Sequence, residues 1–225
     1  MKTRNSLSAL AAALLLGATF AVTPARASDE QAVVDHAIGT LQDLRHDKAF
    51  GNARTLLHEA RAVLIAPRLF KAGFFVGGEG GSAVLMVRGP GGWSSPAFYT
   101  IASASFGLQI GAQTSELVLF VMSDRALHAL MQDKFKFGAN AGIAVATLGS
   151  DVEGATTTHA GADIVAWASS SGAYAGISLN GSVVEPNREG DAAYYGRSVT
   201  SSDIVLRRAV RSHASGGLVR TLDGL

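Results

Sequence analysis

The 225-residue chain contains no cysteine. That absence removes disulfides, thiolate zinc sites, thiol nucleophiles and a lipid-bearing lipoprotein cysteine together. A hydrophobic core must hold the fold unaided, and any attachment to a membrane must be non-covalent. A long apolar run is missing too. The stretch over residues 7–22 falls short of the roughly 20 residues a bilayer core requires, and Ser8, Thr19 and Thr23 dilute the segment. Nor is there an excess of one charge sign. Residues 1–27 hold three basic residues, Lys2, Arg4 and Arg26, and no acid; the remainder carries 16 basic against 18 acidic residues. Nothing here provides the global positive field that nucleic-acid binding needs, so no nucleic-acid partner is expected. The familiar catalytic signatures are also missing: no Gly-x-Ser-x-Gly elbow, phosphate loop, dinucleotide fingerprint or His-Glu-x-x-His occurs. His36, His46, His58, His128, His159 and His213 are scattered, without the short spacings of local metal motifs. No metal, cofactor or catalytic residue is therefore expected.

What is present begins with a positive start, a short apolar middle and Ala25-Arg26-Ala27, the three parts of a secretory signal peptide with a cut after Ala27. The expected organisation is a signal peptide over 1–27, a single domain over 28–212, and a Gly/Ser-rich flexible tail over 213–225. The expected location is outside the cytoplasm, periplasmic or extracellular, peripheral to a membrane where one is engaged.

Ser28 reads as the cap of a first helix on which Val34, Ile38, Leu41 and Leu44 form one apolar stripe. Asn52 reads as the cap of a second, short helix. From residue 62 the texture turns to β. A first strand over 62–65 is expected to stop at Pro67, and further strands follow over 73–78, 83–88, 99–113 and 117–122. Two glycine clusters, 77–81 and 89–92, read as turns. A helix from Asp124, capped by Ser123, interrupts; strands resume over 135–146, 164–169 and 174–184. Helical pieces at 190–195 and after Ser201-Ser202-Asp203 close the domain. Glycine reaches 26 residues and falls inside many of the strands, which favours bulges and sharp coiling. The fold class is α+β: N-terminal helices packed on a strongly curved, mainly antiparallel sheet approaching a barrel.

Several ordered blocks resemble the SYLF family. They are Arg61-Ala62-Val63-Leu64-Ile65-Ala66-Pro67, then Lys71-Ala72-Gly73-Phe74-Phe75-Val76-Gly77-Gly78-Glu79-Gly80, then Trp93-Ser94-Ser95-Pro96-Ala97-Phe98-Tyr99. Ser105-Phe106-Gly107-Leu108-Gln109-Ile110-Gly111, Tyr174-Ala175-Gly176-Ile177 and Ala193-Tyr194-Tyr195-Gly196 continue the series, so the likeness covers roughly residues 50–200. The resemblance implies lipid binding, in eukaryotic members of phosphoinositides, and in some members actin binding; exported bacterial members also exist. What transfers to an exported chain is affinity for anionic lipid or a membrane surface. Actin binding is not expected.

Arg54, Arg61, Arg68 and Lys71 share an interval with Phe70 and Phe74. Apolar side chains beside cations suit a membrane interface, where the former enter the acyl boundary and the latter meet phosphates. The same residues also read as an ordinary solvated face over a core strand. A second reading is an envelope protein that grips a protein partner. A third is an unrecognised hydrolase using His128 or Glu79, although Glu79 also reads as a turn carboxylate. Asp151 and Glu153 share that double reading. His36 and His128 read as surface or helix-end residues. Trp93 reads as a packed corner ahead of Pro96, and Gln109 and Gln113 as one strand face, lining an interior or facing water.

Overall fold

The computed structural model describes residues 25–47, 53–73, 76–106, 111–138, 145–149, 161–171, 179 and 181–225. It opens with helix α1 (Ala25–His46), which starts upstream of the expected Ser28 cap, at residues of good helix propensity. Helix α2 (Ala53–Glu59) follows; its expected cap, Asn52, lies outside the described residues. Then come β1 (Ala62–Gly73), β2 (Val76–Gly89), β3 (Gly92–Trp93), β4 (Ala97–Phe106) and β5 (Gly111–Val121). Helix α3 (Asp124–Leu130), capped by the Ser123 side chain, precedes β6 (Phe135–Lys136), β7 (Val145–Gly149), β8 (Ile164–Ser171) and β9 (Val183–Pro186). Three helices finish the chain: α4 (Arg188–Tyr195), α5 (Ser201–Val205) and α6 (Gly216–Gly224).

The strands form one sheet in the order β6-β9-β4-β2-β1-β5-β8-β7, with β3 added beside β2. Every pairing is antiparallel except β7 with β8. The sheet curls into a half-barrel, so the α+β expectation holds.

Three local readings are corrected. The first strand does not stop at Pro67 but runs to Gly73, because Pro67 and Arg68 sit in a bulge where the register with both neighbours slips by one. A proline is tolerated there because no ladder N–H is needed. The glycines at 77–81 lie inside β2 rather than in a turn. A Cβ at Gly81 would stand 2.1 Å from the Arg68 carbonyl oxygen, so the bulge of β1 occupies the space a side chain would take. The 89–92 cluster is the expected turn. Finally, the segment read as a frayed tail contains α6, whose Leu218 and Leu222 are buried one helical turn apart. A Cβ at Gly217 would lie 3.1 Å from Ile38 Cδ1, so glycine lets α6 approach α1 closely.

Each face of the sheet has its own core. One gathers Val63, Ile65, Val84, Met86, Phe98, Val118, Phe120 and Trp167 beneath α1, α2 and α6. The other gathers the alternate residues Leu64, Leu85, Tyr99, Leu119 and Ala166 with α3, α5 and Phe135. Helix α4 closes the edge, with Tyr194 on the first core and Tyr195 on the second; their rings meet edge-on at 5.1 Å. No described helix is long and apolar enough to cross a membrane.

Candidate functional site

The structure spreads the predicted cationic patch along the sheet rather than gathering it. Arg61 stands just before β1, where it pairs with Asp124 at 3.5 Å. Arg54, on α2, donates from Nε to the Leu225 main-chain oxygen at 2.5 Å. Arg68 sits in the bulge, and Phe70 and Lys71 lie beyond it, toward the other end of β1. Nine residue steps separate Arg61 from Phe70, about 30 Å at the usual rise. The reason is the continuation of β1 past Pro67. Phe74 lies outside the described residues.

What remains together is compact. Arg68 is exposed in the bulge, and Phe70 is 56% exposed, the most exposed large apolar side chain among the described residues. Lys71 is half-buried and pairs in register with Glu79 and Gln113. Opposite Phe70 stand Gly80 and Thr114, so no bulky neighbour shields the ring from across the strands.

The residues of the hydrolase reading are not brought together. Glu79 lies in β2 beside Ser115, whose hydroxyl donates to it at 3.4 Å. His128 is exposed in the last turn of α3, which follows the far end of β5, as its helix-end reading anticipates. Among the described residues no group of histidines and carboxylates could hold a metal. Gln109, Asp151 and Glu153 lie outside the described residues.

A second concave surface escapes a reading by sequence interval. Residues 91–95 and 208–215 enclose a cleft of about 240 Å³ lined by Trp93, Ser94, Ser95, Arg208, Arg211 and His213 among others. Trp93 packs in the corner expected of it, 5% exposed, with the Arg88 guanidinium 4.3 Å from its ring centre. The two loops are stitched by Ser212 N–H donating to Ser95 Oγ at 3.2 Å and Arg208 donating to the Gly92 carbonyl at 2.6 Å. Arg208 adopts φ 52, a left-handed backbone rare outside glycine. The available signal was the run of Arg207, Arg208, Arg211 and His213 near the end of the chain. It was hidden because that segment reads as a tail until α6 is seen to anchor it.

A buried polar group ties α4 to the sheet. Asp191 has no accessible surface and accepts the Phe98 N–H at 2.8 Å. The Asn187 N–H donates to the Phe98 carbonyl at 2.8 Å. Together they continue the pairing of β4 just past the end of β9. Burial pushes the Asp191 carboxyl up to about 7, a rise only partly offset by the Phe98 N–H and the neighbouring Ser201 hydroxyl, and reinforced by the charge of Glu30. Glu116 on β5, which accepts from Thr40 of α1 at 2.7 Å, is raised as well, first by burial and further by Asp43.

Comparison with known proteins points to one family. The family model described as Ysc84, Las17-binding protein actin regulator, matches residues 102–225 and so includes the terminal helix. The SH3 domain-containing YSC84-like protein 1 of Bos taurus is 32% identical over 157 residues, covering 69% of this chain and 46% of its own. Protein YSC84 of Saccharomyces cerevisiae is 30% identical over 172 residues, covering 75% of this chain and 36% of its own. LAS seventeen-binding protein 3 of the same species is 30% identical over 159 residues, covering 69% and 35%. The chain thus spans less than half the length of these relatives. With the family model covering more than half of the sequence, the chain belongs to the Ysc84, or SYLF, family.

Proposed function

We propose that this chain is a non-catalytic protein that binds anionic lipid at a membrane surface, and that its N-terminal segment exports it to act in the cell envelope. The observation that carries the reading is the solvent-exposed Phe70 between Arg68 and Lys71. At about 1 kcal/mol per cation, Arg68 makes only a weak contact with an anionic bilayer, and Lys71, next to Phe70 on the strand, faces the other side of the sheet. The exposed ring supplies the rest by entering the acyl boundary, where burial of a phenyl side chain is worth about 2 kcal/mol. Arg61 and Arg54 stand apart from this contact, since both are engaged elsewhere.

The test is co-sedimentation with vesicles of phosphatidylglycerol and phosphatidylcholine. Binding should require the anionic lipid and weaken with added salt. Phe70→Ser combined with Arg68→Gln should reduce it at least tenfold, while Arg61→Gln leaves it within twofold. Equal retention on purely zwitterionic vesicles would overturn the reading.

The names of the family model and of one relative favour a second reading, in which the partner is a protein: both are described as Las17-binding. Capture of a stoichiometric protein after cross-linking in cells, by a chain without vesicle affinity, would select it. Actin regulation is not carried over, because an exported chain would not meet actin.

A further inference from the structure

We propose that helix α6 exchanges between two copies of this chain, so that the α6 of each packs on the α1 of the other. The pivot is Arg208. Apart from glycines, it alone among the described residues holds a left-handed backbone, at φ 52. That conformation is strained for a bulky residue and persists only where its surroundings impose it. Here they do. The Arg208 guanidinium donates to the Gly92 carbonyl at 2.6 Å. It lies over the turn between β2 and β3, where a Cβ at Gly89 would stand 2.6 Å from its Nη2. The held side chain keeps the backbone bent back toward its own body. An Arg208 relaxed to negative φ sends the following residues elsewhere.

The segment beyond the pivot is suited to exchange. Residues 206–215, between α5 and α6, form neither helix nor strand. Fully extended they span about 33 Å, a reach sufficient to bridge to a second copy. What fastens the segment is repeatable. Leu218 and Leu222 enter the core that contains Val34 and Leu41, and α6 lies against α1 and β3. Ser212 N–H donates to Ser95 Oγ at 3.2 Å, and Ser212 Oγ donates to the Tyr194 hydroxyl at 3.1 Å. None of these partners belongs to the segment itself, so a second copy offers the same ones in the same geometry.

Exchange therefore restores every such contact, which makes it a low-cost route to a dimer. What differs is Arg208, whose strained turn is needed in the closed monomer and not in the exchanged pair. Gly217 adds a close fit, since a Cβ there would lie 3.1 Å from Ile38 Cδ1. The α1 surface thus accepts α6 in one register, whichever copy supplies it.

The absence of native cysteine makes the exchange directly testable. One chain carries Ile38→Cys and another Gly217→Cys; the two are unfolded in urea, refolded together at high concentration and oxidised. Neither chain can close a disulfide within itself, so a mixed disulfide requires the α6 of one on the α1 of the other. The mixed product should exceed each homodimeric disulfide at least tenfold. Light scattering of the unsubstituted chain, refolded in the same way, should show a dimer that grows with concentration. A chain carrying both substitutions, oxidised as a monomer, should form none. Arg208→Gly, which relieves the strain, should lower the dimer fraction at least fivefold relative to Arg208→Ala, which keeps the strain and removes the same guanidinium. Phe70→Ser should leave the dimer unchanged. A chain monomeric at every concentration, a mixed product no more abundant than the homodimers, a dimer of the cross-linked monomer, or equal fractions in the two Arg208 variants would overturn the proposal. Loss of the dimer in Phe70→Ser would overturn it too, by assigning association to the exposed ring.

Discussion

Asp191 shows how one side chain can make a fold sensitive to pH. Its carboxyl is buried, accepts the Phe98 N–H, and is raised to about 7 from an ordinary value of 3.8. An acid with a raised folded value holds its proton in the native chain while the unfolded chain has already lost it. Between about pH 4 and 7 the native state thus binds more protons, and stability falls as pH rises across that window. Below it the term vanishes; above it the full cost, up to about 4 kcal/mol, is present. Glu116 acts in the same direction. Thermal melts from pH 5 to 8 should therefore show a declining midpoint. In Asp191→Asn, which keeps an oxygen for Phe98 N–H, the slope should flatten. An undiminished slope in that variant would remove Asp191 from the explanation.

At the scale of elements, the bulge of β1 and the glycine of β2 are one device. The Arg68 carbonyl occupies the position a Cβ at Gly81 would need, whereas Gly78 of the same strand has nothing within 4 Å of its own. Gly81→Ala should cost about 1–3 kcal/mol by forced displacement of the bulge. Gly78→Ala should be neutral or slightly stabilising, since it narrows the unfolded ensemble without a clash. Urea unfolding midpoints of the two variants decide the matter, and equal midpoints would show that β1 absorbs the methyl. The bulge also bears on the proposed membrane contact, because the register slip sets Phe70 on the opposite face from Leu64, Ala66 and Leu69. Strand texture was legible around 62–65 from the run of Val, Leu and Ile. Continuation past Pro67 was not, because sequence does not say which ladder groups a neighbour will leave unused.

For the molecule as a whole, the decisive fact is that both faces of one sheet are covered, and that the last helix helps to cover the first. Leu218 and Leu222 join Val34, Leu41 and Trp93 in one core, so α6 packs against α1. Removing residues 213–225 should lower the melting temperature markedly and expose Trp93. Leu222→Ala alone should cost about 2–5 kcal/mol. A truncated chain melting like the full one would mean that α6 is only laid on the surface. The sequence by itself determined the α+β class, the cap at Ser123, and the family, because these depend on residue types at short spacing. Tertiary structure alone decided that Arg54 and Arg61 would stand apart from Arg68 and Lys71, and that Trp93 would share a cleft with Arg208, Arg211 and His213. Such neighbours are set by long-range packing and strand continuation, and local spacing carries no information about either.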